Sequence, residues 1–268
     1  MKIIDAQIHL WNGQNTPPHH LRTPYTIDRA LREMDEAGVD RAINCPAIWD
    51  PTANDYAIEA ALQHPDRFAT MGWLPLDGTP DESLVDEWME KPGMLGLRFL
   101  LYAPNAGNLI SSGAFDWVWA GADRLEIPVA LMVMPQHLSL IRGIAQRYPA
   151  IRLMLDHLLV SPFEKVPAAV AHLDDLLELA SLPNVAVKAS GVASMATDDY
   201  PYTSTHDVLR RTFDAYGPHR MFWGSDITRF DRPWAEHRTM FTDHLPWLSG
   251  SDLELVMGRG VAEWTGWS

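Results

Sequence analysis

The sequence predicts a single (β/α)8 barrel, the TIM-barrel architecture, over residues 1–268. Three observations predict it. Eight apolar runs of strand length recur along the chain, helix-like stretches fall between them, and polar residues gather at the C-terminal ends of the runs. The runs are near-continuously apolar, as strands covered on both faces should be. Helices in the gaps imply parallel strands, because each parallel crossover needs one. An open doubly wound sheet is the alternative. It would carry a Gly-rich phosphate turn after its first strand, and Asp5–Gly13 has none.

The first run, Ile3–His9, ends in an imidazole. The long segment Asn12–Tyr25 follows as a candidate lid. Thr26–Ala37 then places Ile27, Ala30, Leu31 and Met34 on one helix face. Arg41–Ile48 is the second strand and Asp55–His64 its helix. Phe68–Leu76 is the third. Thr79-Pro80-Asp81-Glu82 has the form of a capping box with proline at the first helical position, opening a helix to Glu90. Met94–Leu101, Pro128–Met134, Ile151–His157, Asn184–Ser190 and Arg220–Asp226 complete the strands. Their helices are Phe115–Leu125, Leu138–Tyr148, Val166–Ala180, His206–Tyr216 and Trp234–Leu245. Val192–Thr205 is a second candidate lid, and a last helix, Asp252–Trp264, is expected to close the base.

Composition narrows the function classes. Hydrophobic residues make up 47% of the chain, enough for a sizeable core. The formal charge is −14 and no Lys/Arg cluster occurs, which argues against nucleic acid as a partner. No run of eighteen apolar residues exists, so no membrane span is expected, and no leader-like segment opens the chain. Cys45 is the only cysteine, so neither an intrachain disulfide nor a Cys-based zinc cluster can form. A cytoplasmic protein is expected. The Trp-rich, acidic surface leaves a homo-oligomer open.

Barrel active sites lie at the C-terminal ends of the strands, and that rule selects the candidates. Asp226 ends the last strand; it can take a proton from water or bind a metal, or it can simply pair with Arg229. His9 and His157 end the first and sixth strands, where they are either site members or hydrogen-bonded structural residues. Arg98 and Lys188 are single cations emerging from apolar strands. Each must find a carboxylate or serve a bound anion. Arg22 and Arg229 could clamp a substrate carboxylate, although a solvated surface suits each taken alone. Gln7, Trp11, Trp49 and Trp73 would line the pocket and exclude water. His19-His20 reads as a pair of surface histidines, because neighbours in a Pro-rich loop rarely share a ligand geometry. A serine triad is not favoured, since no Gly-x-Ser-x-Gly elbow occurs.

These residues sit in segments that resemble the amidohydrolase superfamily over the whole chain. The segments are Ile4-Asp5-Ala6-Gln7-Ile8-His9-Leu10-Trp11, Gly96-Leu97-Arg98, Leu155-Asp156-His157-Leu158, Val187-Lys188-Ala189-Ser190-Gly191 and Met221-Phe222-Trp223-Gly224-Ser225-Asp226. The resemblance is to the amidohydrolase-related group that holds pyrone-dicarboxylate lactonase, sugar-acid lactonases and related decarboxylases. It implies a hydrolase, with Asp226, His157 and His9 catalytic. Two departures matter. Gln7 stands where the family usually has the first of two histidines, and Gly258-Arg259-Gly260 alters the usual Gly-Asn-Ala. An amide oxygen is a poorer zinc ligand than imidazole, so a metal-free lactonase is expected to open a small carboxylated cyclic ester. The alternatives are a metal-dependent decarboxylase or amidohydrolase, with one zinc or manganese on His9, His157 and Asp226, and a barrel that only binds a ligand.

Overall fold

The computed structural model describes residues 1–13, 15, 19–75, 81–102, 106–160 and 163–267. Its eight strands run in sequence order round one parallel sheet. They are β1 Ile4–Ile8, β2 Arg41–Asn44, β3 Phe68–Gly72, β4 Met94–Leu101, β5 Pro128–Val133, β6 Arg152–Leu155, β7 Val185–Ser190 and β8 Met221–Gly224. Several expected runs continue past these ends, because the apolar chain stays buried as it turns into the loops at the barrel mouth. The expected end of the third run, Leu76, and the capping-box residues Thr79 and Pro80 lie outside the described residues.

The seam of the barrel is closed by hydrogen bonds from the β8 end. Asp226 N donates to Gln7 O and Ser225 N donates to the Asp5 carboxylate, each at 2.9 Å. Asp5 also accepts from Gln7 N and from Trp234 Nε1, at 2.9 and 2.8 Å. Three N–H donors satisfy this buried carboxylate without a counter-ion, yet burial still pushes its pKa up to about 6.

The outer layer is α1 Ile27–Ala37, α2 Ala53–Gln63, α3 Ser83–Met89, α4 Ala106–Ser111, α5 Asp116–Arg124, α6 Leu138–Arg147, α7 Leu173–Glu178, α8 His206–Tyr216 and α9 Trp234–His244. In α1 the buried face is Ile27, Ala30, Met34 and Ala37; the Thr26 hydroxyl caps its start and left-handed Gly38 ends it. Helix α4 has no counterpart among the expected elements. The long helix expected over Val166–Ala180 shrinks to α7 between 3-10 turns, since the residue before Pro167 resists helical geometry. At the base, α10 Gly250–Glu254 and α11 Gly260–Thr265 flank a π turn over Leu255–Arg259, where one continuous helix was expected. Gly258 belongs there because a Cβ would lie 2.5 Å from the Lys2 carbonyl oxygen.

Inside the barrel the pattern has period two. Low on the strands it is apolar, with Ile4, Ile43, Met154, Ala186 and Phe222 in one buried cluster that Val261 closes from below. Two residues further up, β6 and β7 deliver Asp156 and Lys188 in place of Met154 and Ala186. The apolar floor thus carries a layer of buried charge at the mouth. Among the described residues no helix is long and apolar enough to cross a membrane.

Candidate active site at the barrel mouth

Asp226, just past β8, is fully buried in a left-handed conformation with φ 54°. Its Oδ2 accepts from Arg229 Nε at 2.5 Å. Its Oδ1 lies 3.1 Å from His9 Nε2, and the carboxylate lies 3.9 Å from His157 Nε2. The expected convergence of these three residues is therefore present in the geometry. Past β6, His157, Leu158 and Leu159 are all left-handed, with φ 56°, 51° and 57°. Such a run of non-glycine residues costs about 1–2 kcal/mol each and brings the His157 ring to Asp226.

The electrostatics separate the roles. Burial raises the pKa of Asp226, but Arg229, His9 and His157 outweigh it and hold the carboxyl well below its ordinary range. Burial pushes His157 down to about 4, against the pull of Asp226 and Asp156, so the ring is neutral near pH 7. Its Nδ1 shares a hydrogen bond with Ser190 Oγ at 2.9 Å, while Nε2 is buried with no hydrogen-bond partner among the described residues. A narrow cavity beside Asp226 is lined by His157, Ser190, Val192, Met195, Arg229 and Phe230. Val192 and Met195 come from the second expected lid.

His19 overturns its expected place on the surface. It is buried, and its Nδ1 meets Thr228 Oγ1 at 2.9 Å. Its ring lies 5.3 Å from the His9 ring and 4.5 Å from Trp49, centroid to centroid. His20 N donates to Arg229 O and Leu21 N to Thr228 O, lacing the first loop to the β8 loop. The two neighbours point in opposite directions, and the His20 side chain is 55% exposed. Spacing alone could not show which imidazole turns inward. Residues 14 and 16–18 of the expected lid lie outside the described residues.

A divalent ion fits this donor set. His9, His19 and Asp226 each offer one ligand atom, all within 4.8 Å of one another and all three residues buried. Burial pushes His19 down to about 3, which keeps a lone pair available. His9 Nδ1 donates to Cys45 O at 2.5 Å, so in the neutral ring Nε2 carries the lone pair. Among the described residues Asp226 Oδ1 has no hydrogen-bond partner, although that nitrogen is 3.1 Å away. Two nitrogens and a carboxylate oxygen suit zinc or manganese. The compact set takes His19 where the sequence suggested His157, which sits on the other side of the Asp226 carboxylate. Gln7 is excluded as a ligand through oxygen, because Oε1 accepts from Lys188 Nζ at 2.9 Å and from Cys45 Sγ at 3.1 Å. Its Nε2 faces His9 Nε2 at 3.4 Å.

The other expected substrate contacts divide. Lys188 is fully buried, 3.0 Å from Asp156 Oδ1, 2.9 Å from Gln7 Oε1 and 3.8 Å from Cys45 Sγ. The ammonium thus holds Gln7 by a hydrogen bond and Asp156 by an ion pair, and its burial sets it beneath the mouth as a positioning group. Arg98 gives Nε to Asp156 Oδ2 at 2.9 Å and stacks 5.2 Å over Trp73. Two cations against one carboxylate leave a surplus of one positive charge. Trp49 sits against His9 and His19, and Trp73 donates Nε1 to Pro46 O. Trp11 is fully buried and packs edge-to-face against Trp49, with ring centroids 5.3 Å apart. Arg22 is an exposed loop residue.

Comparison with known proteins agrees with this architecture. The sequence model described as amidohydrolase matches residues 4–247. L-fucono-1,5-lactonase of Burkholderia ambifaria is 25% identical over 259 residues, spanning 92% of this chain and 85% of that protein. An amidohydrolase of Burkholderia multivorans, crystallised with zinc bound, superposes with a TM-score of 0.84 at 21% identity over 99% of both chains. A dihydroxybenzoic acid decarboxylase of Polaromonas sp. JS666, crystallised with manganese and 2-nitroresorcinol, superposes with a TM-score of 0.72 at 15% identity, covering 99% of this chain and 97% of its own.

Proposed function

Since the chain belongs to the amidohydrolase family and is a hydrolase of that type, we propose that it opens a small cyclic ester with water held by Asp226 and His157. One observation carries the reading. Asp226 Oδ1 and His157 Nε2 are buried, face the mouth and have no hydrogen-bond partner among the described residues. Two orphaned acceptors side by side are costly in a core and useful around a reacting water. In this reading Asp226, aided by His157, takes the proton as the water oxygen attacks the carbonyl, and the proton returns to the ring oxygen as the acyl C–O bond breaks, leaving an alcohol and a carboxylate on the opened chain. His9 orients the acceptor oxygen. Arg98 brings the surplus positive charge to the carboxylate, whether it is a substituent of the substrate or the group formed at ring opening. Trp49 and Trp73 shield the site from bulk water. A divalent ion on His9, His19 and Asp226 would polarise a carbonyl and acidify a bound water.

The lactonase relative supports the ester reading through its printed activity. The second reading, metal-dependent decarboxylation, draws on the donor set together with the manganese-bound decarboxylase of the same fold. A panel of aldonic-acid lactones and carboxylated pyrones separates the two. Ring opening releases acid, followed in weakly buffered solution, whereas decarboxylation of hydroxybenzoic acids releases CO2. Acid release from any lactone, abolished in Asp226→Asn, is the expected result. CO2 release without lactone turnover sinks the ester reading.

A further inference from the structure

We propose that His19 completes a mononuclear divalent-metal site with His9 and Asp226, a loop residue supplying the ligand that Gln7 cannot. The geometry carries this without reference to the substrate. The ligands come from three separate places: the end of β1, the first loop and the end of β8. His9 Nε2 and Asp226 Oδ1 are 3.1 Å apart. Ligand atoms about 2.0–2.2 Å from a tetrahedral zinc stand roughly 3.3–3.6 Å apart, so the pair needs to part by only a few tenths of an ångström to hold an ion.

Each ligand is also oriented from behind. His9 donates Nδ1 to the Cys45 carbonyl, His19 Nδ1 meets Thr228 Oγ1, and Asp226 Oδ2 accepts from Arg229 Nε. A hydrogen bond on the far atom of every ligand is the arrangement that fixes ring orientation and tautomer in metal sites. With their Nδ1 atoms engaged, the two rings keep Nε2 free to turn toward Asp226 Oδ1, a buried oxygen with no hydrogen-bond partner among the described residues. His157 lacks this relation to the set, since its Nε2 faces the carboxylate from 3.9 Å. The Gln7 amide oxygen is taken by Lys188 and Cys45, and its Nε2 faces the His9 Nε2 that an ion would claim, at 3.4 Å. One consequence is mechanical. An ion on His19 would fasten residues 19–21 to the β8 loop, which the bonds to Thr228 and Arg229 already hold.

The test uses the whole chain, stripped with chelator and titrated with Zn²⁺ alone, with no substrate. One ion per chain is expected. His19→Ala should lose at least about 100-fold in affinity, because even the outer partners of ligands are worth 10–100-fold. Thr228→Val should lose about 10-fold on the same scale. His157→Ala should stay within about threefold, well under the loss for an outer partner. Co²⁺ in place of Zn²⁺ gives a second readout: its visible band should change in His19→Ala and persist in His157→Ala. Amide exchange of residues 19–21 should slow when metal binds. Should His19→Ala not fold, His19→Gln carries the same expectation, checked by circular dichroism. Wild-type protein that binds no stoichiometric ion, or variants in which His157 matters as much as His19, would overturn the site.

Discussion

Two buried carboxylates stand at the mouth of this barrel, Asp156 after β6 and Asp226 after β8, and they are dressed differently. Asp156 has a cation against each oxygen, Lys188 at 3.0 Å and Arg98 at 2.9 Å. Burial would raise its pKa, but the two cations outweigh it and hold the carboxyl far below its ordinary range. Asp226 has one cation, Arg229, on one oxygen, and three imidazoles gathered nearby. Among the described residues its second oxygen meets no cation and lies 3.1 Å from Nε2 of His9, whereas Oδ1 of Asp156 faces the Lys188 ammonium. A closed set of charges rigidifies a barrel, whereas a set with an empty valence can bind something.

The sharpest test exchanges the two acids for amides. Asp226→Asn should lower turnover by about 10²–10⁴-fold, the usual worth of a positioned base, and should cost less stability than the Asp156 exchange, because it strands only Arg229, which is 18% exposed. Asp156→Asn should do the reverse first. It strands Lys188 and Arg98 without a counter-charge, and breaking a buried pair in that way costs about 3–5 kcal/mol. Denaturant titration of both variants, beside steady-state rates, reads the two effects separately. A stable Asp156→Asn with lost activity would erase the distinction drawn between the clusters.

The closed cluster was half legible in the sequence and the open one more so. Asp226, His9 and His157 could be found because each stands where an apolar strand stops, and the structure brings the two rings to 3.1 and 3.9 Å from the Asp226 carboxylate. The barrel itself was legible because burial on both faces writes continuous apolar runs. Lys188 was visible as a cation needing a partner, but nothing local showed that Asp156, Gln7 and Cys45 would surround it. That outcome depends on which strands adjoin inside the ring. His19 was hidden for a related reason. Its partner Thr228 is 209 residues away, and its direction is set by backbone bonds from the next two residues to the β8 loop. Asp5 lay in plain view within the opening motif, yet its role as the seam acceptor for Ser225 belongs to barrel closure alone.

Acid titration offers a smaller effect that still tells the clusters apart. His157 and His237 are held neutral, with pKa values pushed down to about 4 by burial. In the unfolded chain a histidine titrates near 6.5. Between those values the unfolded state binds protons that the folded state refuses, so stability falls as pH drops from about 6.5 toward 4. Asp5 works in the opposite sense over pH 6 to 3.8, because its folded pKa is raised. The contribution of one ring is therefore read by difference. His157→Asn should flatten the slope of stability against pH in this window by about one proton, roughly 1.4 kcal/mol per pH unit. An unchanged slope would mean that His157 is not held neutral by the fold.

The smallest expected effect concerns Arg229, the one cation of the open cluster. Its guanidinium is 18% exposed, and it is the leading charge that offsets the burial of Asp226. Arg229→Met keeps much of the side-chain bulk and removes that charge. The Asp226 carboxyl then moves back up toward its ordinary range, so the acid limb of the pH–rate profile should shift to higher pH. The sign follows because a carboxylate that acts as base works only when ionised, and losing a neighbouring cation makes ionisation harder. The same substitution should leave the Asp156 pairing untouched, since Lys188 and Arg98 remain in place, and any loss of stability should be largest where the stranded Asp226 carboxylate is ionised. If the acid limb instead stays fixed while turnover falls, Arg229 acts on substrate and not on Asp226, and the open cluster has one more binding group than its ion pair suggests.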